Sequence, residues 1–172
     1  MTRRFPAAEE ATKTLDEKDF RSAAMALAAL DHLGVPELEI LYKLERTAAQ
    51  LYERMADRIG DDEAAELVRR NAREELGHAS RVRRALTLKT GGPFQPTLDM
   101  DEGYPVEAPA VVDAALLAAV VEGERAGDAD YQRWADAEPD PEVARLLRIS
   151  GREESGHADR FTRAIARLGA GR

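Results

Sequence analysis

The chain of 172 residues contains no cysteine. That absence removes disulfides, iron–sulfur clusters and every thiolate-ligated metal module from these residues, so any redox chemistry here needs a different centre. Aromatic residues make up only 5%, and runs of β-branched residues are scarce, which leaves little material for sheets. The longest apolar run, Ala114 to Val121, falls far short of the ~18 or more residues of a membrane span. The start, Met-Thr-Arg-Arg-Phe-Pro followed by Glu9 and Glu10, lacks the apolar stretch of a secretory signal. A basic surplus is missing as well: the formal charge is −8 and the pI is near 5.0, which argues against a sequence-independent nucleic-acid binder and its large basic face. The expectation is a soluble cytoplasmic protein with neither nucleic-acid nor membrane partners.

What the chain has in abundance is Ala, Leu, Glu and Arg, a composition that favours helix. Its length suits one domain with a substantial core.

The most informative pattern is a repeat. Arg-Glu-Glu-Leu-Gly-His-Ala-Ser-Arg, from Arg73 to Arg81, returns 79 positions later as Arg-Glu-Glu-Ser-Gly-His-Ala-Asp-Arg, from Arg152 to Arg160. Each copy sets a glutamate three residues before a histidine, Glu75 before His78 and Glu154 before His157, and on a helix such pairs share a face. The register extends backwards: Glu45 lies 30 residues before Glu75, and Glu124 lies 30 before Glu154. Tyr52 and Tyr131 each follow their glutamate by seven.

Periodicity places these residues on helices. From Glu37 to Ile59, Leu38, Leu41, Tyr42, Glu45, Ala49, Tyr52 and Met55 form one stripe, so Glu45 sits inside an apolar face. Gly60 and then Asp61 and Asp62 read as a stop and an N-cap, and the next helix, about Glu63 to Leu88, returns antiparallel with Glu75 and His78 at core positions. Lys89 to Val106 is rich in glycine and proline and forms a long connection. A third helix starts near Pro109, with Glu124, Tyr131 and Trp134 on one face. Asp140 and Pro141 start a fourth, which carries Glu154 and His157 and runs to about Leu168. Residues 36–170 therefore predict an all-α four-helix bundle, two antiparallel pairs joined by a long crossover. Residues 1–35 form an N-terminal extension with an extra amphipathic helix, about Asp16 to Leu33, that packs on the bundle or on a second subunit.

Glu45, Glu75, His78, Glu124, Glu154 and His157 are thus aimed at the middle of one bundle. Buried carboxylates need compensation, and two divalent cations balance four carboxylates. Glu from two helices plus Glu-x-x-His from the other two is the ligand pattern of di-iron and di-manganese carboxylate bundles, and an oxygen-rich set with two imidazoles and no thiolate suits Fe, or Mn, better than a structural zinc. Tyr52 and Tyr131 lie where a phenol reaches a carboxylate, relays an electron or simply packs. Glu53, Glu74 and Glu153 read as solvated surface charges, Trp134 as packing, and His32 carries no assigned role.

On these residues the chain resembles the ferritin-like superfamily, and within it most closely the rubrerythrin group. The resemblance spans about Glu37 to Leu168 and rests on Glu45, Glu75-Leu76-Gly77-His78, Glu124 and Glu154-Ser155-Gly156-His157, with Tyr52 and Tyr131 matching the tyrosine seven residues after a helix glutamate. It implies a non-haem di-iron oxidoreductase, with two Fe ions or Mn in their place. Such a protein reduces hydrogen peroxide or O₂, or oxidises Fe(II), and forms a homodimer or higher homo-oligomer. Rubrerythrins usually append a cysteine-ligated rubredoxin domain, so the lack of cysteine implies a separate electron-donor protein. They also commonly carry an extra glutamate three residues after the third-helix ligand, where this chain has Gly127, with Glu122 and Asp128 nearby but out of register. Alternatives are a ferritin-like iron-storage cage, disfavoured by the short sequence after the fourth helix, a di-iron hydroxylase of a small organic substrate, and a bundle whose metals serve structure alone.

Overall fold

The computed structural model describes residues 15 and 17–170; residues 1–14 and Asp16 of the predicted extension lie outside the described residues. Among the described residues six helices follow one another: α1 (Phe20–Ala28), α2 (Val35–Ala56), α3 (Asp62–Thr90), α4 (Leu98–Glu102), α5 (Ala114–Ala137) and α6 (Pro141–Ala170). No strand occurs among the described residues, and no helix there is long and apolar enough to cross a membrane.

The four long helices form a ferritin-like bundle: α2 packs on α3, α5 on α6, and α3 on α6. Their directions follow from the side-chain pairings. Tyr52 reaches Glu124 while Tyr131 reaches Glu45, so α2 and α5 run antiparallel. Arg81 bonds Ser150 while Arg160 bonds Asn71, so α3 and α6 do too.

Caps set the helix starts. Asp61 accepts from the Ala64 amide at 2.8 Å, and Asp140 accepts from the Glu142 and Val143 amides at 2.8 and 3.1 Å, each satisfying donors that the first turn leaves free. Two predicted boundaries shift. The third long helix begins at Ala114, not near Pro109, because Asp113 caps it through the Leu116 amide (2.9 Å) and Arg58 holds the carbonyls of Ala108 and Pro109 in an extended segment. The N-terminal helix is shorter than Asp16 to Leu33. Asp19 caps it in a box with Ser22, and it ends where Trp134 Nε1 donates to the Leu30 carbonyl at 2.9 Å and Arg133 Nη2 donates to the Ala28 carbonyl at 2.8 Å. Ala23 and Leu27 of α1 are buried in the cluster that includes Leu38 and Leu41 of α2.

The crossover also contains the short helix α4, which glycine and proline content did not announce. It is strapped along the outside of α2: Lys43 pairs with Asp99 at 2.6 Å, Tyr42 donates to Asp101 at 2.5 Å, and Gln50 donates to the Glu102 carbonyl at 2.7 Å. The strap closes at Gly103. Its φ is +76°, and a Cβ there would stand 2.7 Å from Thr47 Oγ1, the atom that accepts from the Tyr104 amide. Only glycine meets both conditions without strain. Gly103→Ala is therefore expected to destabilise the fold by about 1–3 kcal/mol in chemical denaturation; an unchanged midpoint and slope would contradict this account of the crossover.

Candidate metal centre

All eight residues singled out by the repeat converge. Glu45, Glu75, His78, Glu124, Glu154, His157, Tyr52 and Tyr131 are buried in the middle of the bundle, because each occupies the apolar stripe of its helix. Two donor sets result, Glu45–Glu75–His78–Glu154 and Glu75–Glu124–Glu154–His157, and within each the ligand atoms lie within 4.8 Å of one another. Glu75 and Glu154 belong to both.

The geometry is close to two-fold. His78 Nδ1 lies 3.4 Å from Glu45, 3.2 Å from Glu75 and 3.2 Å from Glu154. His157 Nδ1 lies 3.2 Å from Glu124, 3.1 Å from Glu75 and 3.3 Å from Glu154. The two imidazoles stack at 5.2 Å with an interplanar angle of 14°. Nδ1 of His78 is fully buried and has no hydrogen-bond partner among the described residues, although three carboxylates surround it. A ring nitrogen facing acceptors alone fits a cation set between them.

Electrostatics agree. Burial, the largest influence, pushes the Glu45 carboxyl up to about 8, and it also raises Glu124. Burial opposes ionisation of Glu75 as well, yet His78 and His157 outweigh it and hold that carboxyl below its usual range. For His157, burial works against the charged ring, but Glu124, Glu154 and Glu75 overcome it and push its pKa up to about 12. Without cations the cluster thus keeps protons at neutral pH, and cations entering must displace them, so binding strengthens as pH rises.

The family model for rubrerythrin matches residues 38–165. The chain belongs to the rubrerythrin family. No curated protein and no solved structure matches it.

Within that family frame, the tyrosines behave differently from a simple reading of their spacing. Seven helical residues span about 10 Å, too far for a phenol to reach the glutamate on its own helix. Each reaches the opposite half instead: Tyr52 donates to Glu124, and Tyr131 donates to Glu45. Phe161 sits edge-on to Tyr52 at 5.1 Å, and Trp134 sits edge-on to Tyr131 at 5.3 Å, so both rings are fixed by packing as well. Trp134 has the packing role expected of it and also anchors α1 through Leu30.

Glu74 and Glu153 correct the sequence reading. Both are half-buried, not solvated. Glu153 accepts from His78 Nε2 at 3.1 Å and also receives Arg81; Glu74 lies 3.3 Å from His157 Nε2 and receives Arg160. Arg81 continues to Ser150 (3.0 Å), and Arg160 continues to Asn71. For His78 the carboxylate on the outer ring nitrogen fixes the tautomer and turns the inner lone pair toward the cluster; His157 Nε2 stands beside Glu74 without a hydrogen-bond partner among the described residues. The signal was present in the repeat itself, since Arg-Glu-Glu and the closing Arg recur at identical spacing. Glu53, by contrast, is exposed and pairs with Arg69. His32, 44% exposed at its side chain, faces Glu138 at 3.4 Å and lies outside the cluster.

At the position of the extra rubrerythrin glutamate, Gly127 lies against Glu154, which a Cβ there would meet in ordinary contact at 3.6 Å. Neither neighbouring acid replaces it: Glu122 pairs with Arg125 on the surface, and Asp128 accepts from Ser155 at 2.5 Å and Gln132 at 2.9 Å.

Glu153→Gln is expected to weaken divalent-cation binding by roughly 10–100-fold while leaving far-ultraviolet dichroism unchanged. Calorimetric titration with Mn(II) checks this, and unchanged affinity would show that the Arg81–Glu153–His78 chain is structural only.

Proposed function

We propose that the chain is a non-haem di-iron oxidoreductase that reduces hydrogen peroxide or O₂, or oxidises Fe(II), at a carboxylate-bridged pair of metals. Glu45 and His78 would hold one ion, Glu124 and His157 the other, with Glu75 and Glu154 shared. The support is the pair of buried donor sets with two common carboxylates, set in a rubrerythrin-family bundle. Bound iron supplies the electrons for reducing an O–O bond; manganese is the alternative occupant.

The protein's own residues do the rest. Tyr52 and Tyr131 hold protons at Oη, since burial first, and then Glu124 and Glu45 respectively, keep both phenols well above their usual range. They therefore orient the two outer carboxylates and stand as proton donors at the edges of the site. The helices bury these groups almost completely, which strengthens each of these contacts. The 172 residues hold no thiolate-ligated redox centre, so reducing equivalents come from a donor outside them.

Two measurements test this reading. Anaerobic loading with Fe(II), followed by stopped-flow mixing with H₂O₂ or with O₂, is expected to give oxidation faster than that of free Fe(II), and the faster oxidant identifies the substrate. Glu75→Ala, which removes a carboxylate common to both sets, is expected to lower bound iron from about two ions per chain to below one, whereas Glu45→Ala spares the second ion. Equal stoichiometry in wild type and Glu75→Ala would contradict the shared-ligand assignment.

A further inference from the structure

A cavity of about 450 Å³ opens between α2 and α5, partly roofed by α1. Peroxide or O₂ needs little more room than a water molecule's ~30 Å³, so the space is more than ten times what either oxidant requires. It lies instead within the ~300–1,000 Å³ range of pockets that take organic ligands.

The walls indicate which ligand. Leu41, Leu44 and Leu51 line one side, Val120 the other, and Phe20 the roof, so most of the surface is hydrocarbon. The polar lining is concentrated at the floor, in the carboxylates of Glu45, Glu75, Glu124 and Glu154 and the phenols of Tyr52 and Tyr131. Asp130, the remaining acid, is engaged by Arg133 at 2.8 Å. The width comes from small residues on facing helices, Gly123, Ala126 and Gly127 on α5 and Ala48 on α2. A Cβ at position 127 would make ordinary contact with Glu154 at 3.6 Å, and any longer side chain would take up cavity space.

We infer that this cavity is a binding site for a small, uncharged, largely hydrocarbon organic molecule, seated between α2 and α5 with one end against the carboxylate cluster. A charged ligand would lose its hydration along the apolar walls; a hydrocarbon gains from the same burial. The site goes beyond the redox reading, because its walls are formed by side chains that need no metal.

Trp134 is the single tryptophan of the chain and lines the cavity, so its emission reports occupancy. The test titrates the full chain with n-alkanols from butanol to octanol, read by Trp134 fluorescence and by calorimetry. The expected result is saturable binding of one alkanol per chain, with affinity rising about three- to fourfold per added methylene. Gly127→Leu and Ala48→Phe, which fill the space from opposite walls, should each weaken octanol at least tenfold, with folding verified by circular dichroism. No saturable binding, no dependence on chain length, or full binding in both variants would overturn the inference. So would light scattering that shows a dimer together with absent octanol binding, the outcome of a second copy covering this face. Metal analysis of the same samples separates the claims: normal metal content without alkanol binding removes the cavity site and leaves the redox reading intact.

Discussion

Four carboxylates brought together where little water reaches impose the constraint from which the rest of the structure follows. Glu45, Glu75, Glu124 and Glu154 are each less than 9% exposed, and a group of like charges in such a place must be neutralised by protons, by hydrogen bonds or by cations. The surroundings suit cations. Two imidazoles turn their inner nitrogens to the cluster, two phenols hold its outer carboxylates, and a carboxylate–arginine pair stands behind each imidazole, bonded to the ring at His78. Without bound metal, the site remains tolerable by retaining protons.

Neither helix pair completes this arrangement alone. The phenol of one half supports the carboxylate of the other, and the arginine of one half reaches across to the other's glutamate, so α2–α3 and α5–α6 are interdependent. Antiparallel pairing of α2 with α5 makes these exchanges reciprocal, and it requires the chain to travel the length of α2 before α5 begins. The crossover does this, held down by Tyr42, Lys43, Gln50 and the glycine turn at Gly103. Close passage of α5 over α6 depends in the same way on Gly151, where a Cβ would stand 2.8 Å from that of Tyr131.

Periodicity and the repeat made much of this legible beforehand. Polar residues recurring inside apolar stripes, at the same offsets in two places, have few explanations other than a shared buried site, so the eight central residues and the order of the long helices could be read directly. Other features depend on relations between helices that spacing within one helix does not contain. The crossing of Tyr52 and Tyr131 to the opposite glutamates is one. The capture of Glu153 by His78 and Arg81, and of Glu74 by Arg160, is another, because a glutamate beside an apolar stripe reads as solvated until a partner helix is laid against it. The cavity was illegible for the same reason, since Gly123, Gly127 and Ala48 reveal an opening only when α2 and α5 face each other. The early end of α1 is set by Trp134 and Arg133, a hundred residues further along the chain.

The rubrerythrin-family bundle thus joins a symmetric donor cluster to an asymmetric approach, with hydrocarbon walls on one side and arginine-braced histidines on the other. The proposed reactivity depends on two cations sharing Glu75 and Glu154. Crystals grown with Fe(II) and measured across the iron absorption edge test that most directly. The account predicts two anomalous peaks per chain, one beside Glu45 and His78 and one beside Glu124 and His157, both adjoining Glu75 and Glu154. A single peak, or none within the cluster, would contradict it.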